Sequence, residues 1–472
     1  MRSDGTNLAE AAVMTLAAAA RIVNGRVPPA HGDIAFSRVT TDSRTIRARD
    51  LFVALKGDAF EGHDYVIAAL AAGASAAMVH QERDTFVGRP CIAVRDTRLA
   101  LGQLARAWRA RFTLPLIGVA GSNGKTTVTQ MIASILRASV SNEATAFCTE
   151  GNLNNDIGLP LTVLRLDDTH RIGVVELGMN HPGEIAYLSG IARPTIGVVT
   201  NAQREHQEFM KTVRDAAIEN ASMFDFLPAD GIAIVNADDA HHALFVDRAG
   251  SRPTLSFGIE QPADVRVSID DSDATFGSHL SIATPSGNID VALAIAGRHN
   301  ALNAAAATAA ALAAGVSLAD VARGLQAFRP VKGRLVKSLL SSGAVLLDDT
   351  YNANPDSVRA AIDVLASIGG RRVLVLGPMA KVGDQGPAFH REVGDYARSR
   401  GVDRLVAIGD ATAPATDAFG AYASRHDDIE ALIEAVRDEA DAGTTLLVKG
   451  SRSARMERVI DALTGSRAGG VH

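Results

Sequence analysis

An apolar run that ends in a glycine-rich loop and Lys-Thr-Thr holds the residue types needed to bind phosphate. It reads Leu114-Pro-Leu-Ile-Gly-Val-Ala-Gly-Ser-Asn-Gly-Lys-Thr-Thr127. Residues 116–120 read as a buried strand and 126–136 as the helix that follows. Gly121 and Gly124 let the connecting backbone turn its N–H groups inward, so that they cradle phosphate together with Ser122 and Asn123. Lys125 then meets the β- and γ-phosphates of a nucleotide, and Thr126 or Thr127 offers a hydroxyl to Mg²⁺. Val119 stands where the usual pattern has its first glycine. An ordinary strand-turn-helix corner would explain the turn but not the Lys-Thr-Thr.

Two further positions have the chemistry to serve such a metal. Glu176 ends an apolar run at 172–177, in Glu176-Leu-Gly-Met-Asn-His-Pro-Gly-Glu184. His206 follows the next one, in Asn201-Ala-Gln-Arg-Glu-His206. Open α/β sheets place ligands at the carboxyl ends of their strands. If both strands neighbour the phosphate-loop strand, the two side chains converge on the phosphate tail, where hard oxygen or imidazole ligands suit the ion. His181, Glu184 and Glu205 compete for the same role, and a lone strand-end Glu or loop His is more often solvated.

The elements that must position these residues fall into three zones. A chain of 472 residues is too long for one core and suggests about three domains. Residues 1–112 form a small α/β unit, with strands expected at 76–79 and 91–94 and helices at 65–72 and 99–111. Residues 113–329 alternate strands at 116–120, 172–177, 196–200 and 232–235 with helices, which predicts a mostly parallel sheet. An Ala-rich helix over 300–314 closes this zone, and the turn-rich Pro330-Val-Lys-Gly333 marks the next junction. Residues 330–472 place strands at 345–347, 372–376, 405–408 and 445–448, each before a helical pattern, as in a doubly wound, Rossmann-like sheet. No Gly-x-Gly-x-x-Gly follows its first strand, so dinucleotide binding is not indicated.

Composition narrows the class. Hydrophobic content of 47% with 21% charged residues describes a soluble, enzyme-like chain, and 4% aromatics leave little for a large aromatic binding face. A formal net charge of −6 argues against nucleic-acid or membrane-surface partners, so an anionic substrate must be caught by local clusters. Cys91 and Cys148, the only two cysteines, lack metal-ligand spacing and fit a reducing cytoplasm. The Ala-rich stretch 11–20 follows Asp4 and Glu10 and reads as a packed amphipathic helix rather than a secretory signal. No apolar stretch approaches the roughly 20 residues that span a bilayer.

Several motifs together resemble the Mur ligase family. They are Gly121-Ser-Asn-Gly-Lys-Thr-Thr127, Thr149-Glu-Gly-Asn-Leu-Asn-Asn155 with Ile157-Gly-Leu-Pro160, Glu176-Leu-Gly-Met179, Pro182-Gly-Glu-Ile185 and His299-Asn-Ala-Leu-Asn303. The flanking zones carry Thr41-Asp-Ser-Arg44, Phe52-Val-Ala-Leu-Lys-Gly57, Asp348-Asp-Thr-Tyr-Asn-Ala-Asn-Pro-Asp-Ser357 and Lys449-Gly-Ser-Arg452. These resemble the branch of that family that joins D-alanyl-D-alanine to a UDP-N-acetylmuramoyl-tripeptide. The resemblance spans essentially the whole chain. It implies a cytoplasmic ATP- and Mg²⁺-dependent ligase of peptidoglycan precursor synthesis, expected to be a monomer, that works through an acyl phosphate.

Carried over by position, the resemblance implies that Lys125 and Thr126 contact the ATP phosphates and that Glu176 and His206 bind metal. Asn300 and Asp349 fall on the adenosine side, with Arg334 and Tyr351 near the nucleotide. Ser43 and Arg44 resemble uridine-nucleotide contacts, although a Thr-Asp-Ser turn makes its own hydrogen bonds. Thr149, Asn152, Asn154 and Asn155 could bind substrate or simply build turns. Asn352, Asn354 and Ser357 could face the incoming dipeptide, while Asn354 and Pro355 also read as an N-cap and first helical residue. Lys449, Ser451 and Arg452 suit a carboxylate or phosphate, or form a solvated basic turn.

Sibling ligases that add one amino acid, folylpolyglutamate-type ligases and an inactive nucleotide-binding regulator remain alternatives. The chain departs from the family at Gly377-Pro-Met-Ala-Lys-Val-Gly383, where Pro378 and Lys381 replace acidic positions, whereas His390 keeps its expected place. Many family members also carry a carbamylated lysine on the helix after the metal-binding histidine. Counting from His206 reaches Glu219-Asn220, neither a lysine, and Glu219 is expected to supply part of that charge.

Overall fold

The computed structural model describes residues 13–57, 60–80, 83–271 and 276–465. It divides into two compact units, one of residues 1–114, 147–171 and 187–193, the other of 115–146, 172–186 and 194–472.

In the first unit, strands Arg38–Thr40, Asp50–Val53, Ala76–Val79 and Cys91–Ala93 form a four-stranded parallel sheet. Phe52, Val66, Val79, Phe86 and Cys91 pack into its core. Strands buried on both faces carry continuous apolar runs, as residues 51–53 and Ala76–Val79 do. The expected helix 65–72 appears as a 3₁₀ turn followed by Val66–Ala71, and the expected helix 99–111 as Thr97–Arg109, N-capped by Asp96. Arg109 is buried and gives its guanidinium to the carbonyls of Phe112 and Ala192 at 2.6 and 2.8 Å. Burial, with some repulsion from Arg193, pulls its pKa down to about 10. The helix expected over 11–20 is seen as Leu16–Ile22, capped by Thr15, and residues 11 and 12 lie outside the described residues.

The second unit holds two sheets. In the first, adjacent strands run Gly287–Leu293, Ser278–Thr284, Val265–Asp271, Thr254–Gly258, Ile232–Asn236, Ile196–Val199, Leu116–Ala120 and Ile172–Glu176. The five pairings from Ile172–Glu176 to Val265–Asp271 are parallel. The last two form an antiparallel meander that the sequence reading did not resolve. Strand Leu116–Ala120 lies between Ile172–Glu176 and Ile196–Val199, the neighbours required for Glu176 and the 201–206 loop to share its carboxyl end.

The helix after the phosphate loop, Lys125–Ser139, packs on Arg298–Ala313 and Leu318–Ala327. The approach to Leu318–Ala327 is close enough that a Cβ on Gly324 would lie 2.3 Å from the Cα of Ile135, so only glycine fits. The Ala-rich helix is buried on nearly every side, as expected for a helix that is apolar all round.

The second sheet has the order Val336–Leu339, Val345–Asp349, Thr444–Lys449, Arg371–Leu376, Arg404–Ile408 and Ala423–His426. Its first pair is antiparallel and the rest are parallel. The last strand in sequence is inserted between Val345–Asp349 and Arg371–Leu376. Asn354 and Ser357 close a reciprocal capping box on helix Pro355–Ser367, with Pro355 in the first turn.

His390 holds the departing Gly377–Gly383 segment in place. Its Nε2 accepts from the N–H of Met379 at 3.0 Å, while Nδ1–H donates to the carbonyl of Gly386 at 2.7 Å. Accepting at Nε2 requires the neutral ring, and burial lowers its pKa. A histidine depressed in the fold contributes stability that is complete above its unfolded pKa, about 6.5, and is lost as pH falls toward the folded value. His390→Gln should therefore unfold at lower denaturant than the parent at pH 7. The gap should narrow as pH drops from 7 to 5 in urea titrations.

Candidate active site

The phosphate loop is shaped by two glycines that no other residue could replace. Gly121 has φ +134° and Gly124 φ +82°, and added Cβ atoms would fall 2.0 Å from Thr200 Oγ1 and 2.4 Å from Asn303 Oδ1. The following strand's continuation clamps the loop. Ser122 N–H donates to the carbonyl of Asn201 at 3.0 Å, Asn123 N–H to Asn201 Oδ1 at 2.9 Å, and Gly121 N–H to Asn220 Oδ1 at 2.8 Å. Thr200 Oγ1 and Asn201 Nδ2 both donate to the carbonyl of Asn123.

The glycine-rich sequence predicts that the N–H groups of this whole loop turn toward phosphate. Those of residues 121–123 are instead committed to protein acceptors. The first-turn N–H groups of helix Lys125–Ser139, which have no intrahelical acceptor, are the donors left for an anion.

Lys125 folds back onto its own loop, donating to the carbonyls of Gly121 and Ser122 and pairing with Glu205 Oε2 at 3.3 Å. Thr126 sits between a carboxylate and a guanidinium: its hydroxyl donates to Glu176 Oε1 and accepts from Arg334 Nη2, both at 3.2 Å. Glu176 is only 2% exposed. Arg334 lies over the ring of Tyr351, 3.9 Å from its centroid, and its Nε is buried without a partner. Thr127 lines a cavity of about 320 Å³ together with Asn123, Asn300, Arg334, Asp349 and Lys449.

Inside that cavity Asn300 is itself well held. It donates to the carbonyl of Ala296 at 2.7 Å and accepts from Asn303 at 3.2 Å. Asp349 pairs with the buried Lys449 at 2.6 Å, and Lys449 also donates to the carbonyl of the exposed Asn352 at 2.9 Å. Ser451 is bound through N–H and hydroxyl to the carbonyl of Pro378, while Arg452 is exposed and pairs with Glu457. Asn354 reaches beyond its capping role and donates to Asn123 Oδ1 at 2.9 Å.

His206 has a left-handed backbone, φ +47°, and its Nδ1 is buried without a partner. Burial first, then the positive charges of Lys125 and Lys381, push its pKa down to about 4, so the ring is neutral and keeps a free lone pair near neutral pH. Among the described residues no three His, Cys, Asp or Glu side chains gather into a cage for a cation. Mg²⁺ keeps several waters and is held by one or two protein groups plus phosphates. Thr126 with Glu176, and the orphaned imidazole nitrogen of His206, fit such an ion.

Glu219 does not fit it. Its carboxylate accepts from the N–H groups of Gly183 and Ile185 at 2.9 and 2.8 Å, capping the start of a helix, and so is not available to replace a carbamate. Lys381, one of the departures, also has a defined partner in Asn180 Oδ1 at 2.7 Å.

Sequence reasoning missed the side chains that organise the loop from outside it, Thr200, Asn201, Gln203 and Asn220. All but Asn220 sit at or beside Asn201-Ala-Gln-Arg-Glu-His206, where one polar run at a strand end was the available signal. Arg204 grips two elements of the second sheet's layer, Asp356 and Glu392, each at 2.6 Å, and stacks near Phe389. That grip raises the Arg204 pKa and holds Glu392 below the usual carboxylate range.

The other candidate residues belong to the first unit. Ser43 and Arg44 lie on a 3₁₀ turn capped by Asp42, and the exposed Arg44 guanidinium forks onto the Asp42 carboxylate at 2.9 Å. Thr149 is buried, and the N–H of Asn154 donates to the carbonyl of Asn152. Asn155 Oδ1 accepts from Ile157 and Gly158 at the start of helix Gly158–Val163, so part of the Asn-rich loop is turn chemistry.

A glycine-shaped loop between a central parallel strand and a helix, with Lys-Thr at the helix start and an acidic residue on the next strand, defines a phosphate-loop nucleotide enzyme. Three family descriptions match along the chain: "Mur ligase family, catalytic domain" over residues 35–109, "Mur ligase middle domain" over 119–311 and "Mur ligase, glutamate ligase domain" over 333–452. The chain belongs to the Mur ligase family. It is 38% identical to the UDP-N-acetylmuramoyl-tripeptide–D-alanyl-D-alanine ligase of Escherichia coli, an alignment covering 95% of this chain and 98% of that one. A crystal structure of MurF from Acinetobacter baumannii superposes with a TM-score of 0.87 at 32% identity, covering 96% and 99%. MurF ligase from Thermotoga maritima, in complex with ADP, superposes at 0.81 with 27% identity, covering 91% and 97%.

Replacing Arg204 with alanine leaves Asp356 and Glu392 without their shared cation. Chemical denaturation should show a loss of about 1–2 kcal/mol, the scale of partly exposed charged hydrogen bonds. The Asp356→Asn exchange should recover less than half of that loss in the Arg204→Ala background.

Proposed function

We propose that this chain is an ATP- and Mg²⁺-dependent amide ligase that adds D-alanyl-D-alanine to a UDP-N-acetylmuramoyl-tripeptide in peptidoglycan precursor synthesis. The observation that carries the nucleotide half is the Gly121-to-Thr126 loop bordering the 320 Å³ cavity. The substrate half rests on relatives of that name aligned over nearly the full chain. Among the described residues no helix is long and apolar enough to cross a membrane. We read the enzyme as a cytoplasmic monomer, with residues 1–112 for the UDP substrate, 113–329 for ATP and 330–472 for the dipeptide.

A carboxylate is a poor electrophile at neutral pH. An oxygen of the tripeptide carboxylate therefore attacks the γ-phosphorus of ATP, the bond to ADP breaks, and an acyl phosphate forms. The dipeptide amine then attacks the acyl carbon, an amide forms, and phosphate leaves with the bonding pair. The residues bind and orient reactants and offset charge rather than form covalent intermediates. Lys125 turns from its loop carbonyls to the phosphates. Thr126, Glu176 and His206 would hold Mg²⁺, which when bound neutralises charge on the phosphate oxygens. Asn300 and Asp349 face the adenosine side of the cavity and Arg334 with Tyr351 closes it. Lys449, Ser451, Arg452, Asn352, Asn354 and Ser357 border the space for the dipeptide. Ser43, Arg44, Thr149, Asn152, Asn154 and Asn155 are assigned to the UDP substrate.

Phosphate release from ATP should require the UDP-tripeptide and D-alanyl-D-alanine together. Release sustained by lysine or diaminopimelate with a UDP-dipeptide would point to a sibling ligase, and ATP binding without release under any combination to an inactive regulator. Lys125→Ala should lower turnover at least about 100-fold with an unchanged circular dichroism spectrum, since a charge partner of the transition state is lost. Near-parental turnover would remove Lys125 from the site.

A further inference from the structure

Glu205 is 4% exposed and lies within the phosphate site, yet the ligase chemistry above gives it no task. Its Oε2 is 3.3 Å from Lys125 Nζ, and its Oε1 faces Asn220 Nδ2 at 3.5 Å. Asn220 cannot swing freely: its Oδ1 accepts from Gly121 N–H at 2.8 Å and its Nδ2 donates to the carbonyl of Ala216 at 2.9 Å. The carboxylate is thus fixed to the floor of the loop by a neutral amide, and Lys125 is the one cation paired with it among the described residues. The lysine's two other acceptors are carbonyls of the loop itself.

When Lys125 turns to a nucleotide's phosphates, this arrangement leaves a buried carboxylate without its cation beside newly arrived anions. Such a group is costly unless another positive charge replaces the one it lost. Thr126, Glu176 and the bare Nδ1 of His206 already favour a divalent cation at the same strand ends. We infer that Glu205 is a positioning residue that exchanges counterions: it keeps Lys125 folded back while the loop is empty and turns its charge to the nucleotide-bound divalent cation once the lysine is engaged. It thereby makes nucleotide and metal bind as a coupled pair. This rests on the nucleotide reading above.

The test is calorimetric titration of the full-length protein with ADP, in Mg²⁺ and in chelator. The parent should bind ADP much more tightly with Mg²⁺. Glu205→Gln should bind metal-free ADP more tightly than the parent and show a Mg²⁺ enhancement smaller on the order of tenfold, the usual scale of site coupling. Glu205→Asp, which keeps the charge, should keep most of the enhancement; an Asp variant behaving like the Gln variant would refute charge as the operative property. Lys125→Met provides an independent arm: without nucleotide, Mn²⁺ read by electron paramagnetic resonance should bind on the order of tenfold more tightly than to the parent, because Glu205 has lost its lysine. That arm decides the matter if the Gln variant does not fold. ADP binding with unchanged Mg²⁺ coupling in Glu205→Gln, or no Mn²⁺ gain in Lys125→Met, overturns the inference. Failure of the parent to bind ADP at all overturns the nucleotide reading instead.

Discussion

A loop built to receive phosphate anions has to keep its shape before they arrive, and that requirement governs the second unit. Backbone N–H groups left unpaired would cost free energy, and a free lysine would wander. The protein answers with acceptors from elsewhere in the chain: Asn201 and Asn220 take three loop N–H groups, and Glu205 takes the lysine. The parallel register beside strand Leu116–Ala120 makes this possible, because it pairs Val199 with Ala120, lets Thr200 N–H donate to the Ala120 carbonyl and sets the next residues over the loop. Both glycines then follow from the crowding of Thr200 and Asn303.

The same pairing rule extends to the second sheet of that unit. Asp349 with Lys449, Arg204 with Asp356 and Glu392, and Arg334 against Thr126 each set opposite charges or polar groups together. None is worth much as a stabilising contact in isolation, since charges withdrawn from water return little net energy. Their value is directional. Arg334 is held by a ring face and a hydroxyl at once, and Asn354 by its own helix and by Asn123, so residues far apart in sequence present fixed atoms to one cavity.

Strands with long apolar runs were legible from the amino-acid sequence because burial on both faces leaves few polar positions. Strands at 116–120, 172–177 and 196–200 therefore stood out, as did Asn354 as an N-cap, and the structure has them at Leu116–Ala120, Ile172–Glu176 and Ile196–Val199. The antiparallel strands Val265–Asp271, Ser278–Thr284 and Gly287–Leu293 did not, because they mix exposed with buried residues and include charged positions. In the site, Lys125, Thr126 and Glu176 were marked by motif, and the structure brings Thr126 and Glu176 into contact. Glu219 departs from its expected role because sequence distance gives its place on a helix but not its direction, and the N–H groups of Gly183 and Ile185 take its carboxylate. Glu205 was legible only as a competitor, with His181 and Glu184, for the metal-binding role of Glu176 and His206. Its pairing with Lys125 depends on a register that a single sequence does not display.

The acceptors that clamp the loop lie about 80 to 100 residues beyond it in the chain, at Asn201 and Asn220. During synthesis the glycine-rich segment emerges long before the groups that shape it, and at the usual pace of elongation several seconds separate the two. Strand Leu116–Ala120 must wait as well, since one of its parallel partners begins only at Ile196. Nucleotide recognition in this enzyme is consequently a late property of the growing chain. A nascent chain that stops before residue 200 carries the whole phosphate-binding sequence and none of the clamp that makes it a site.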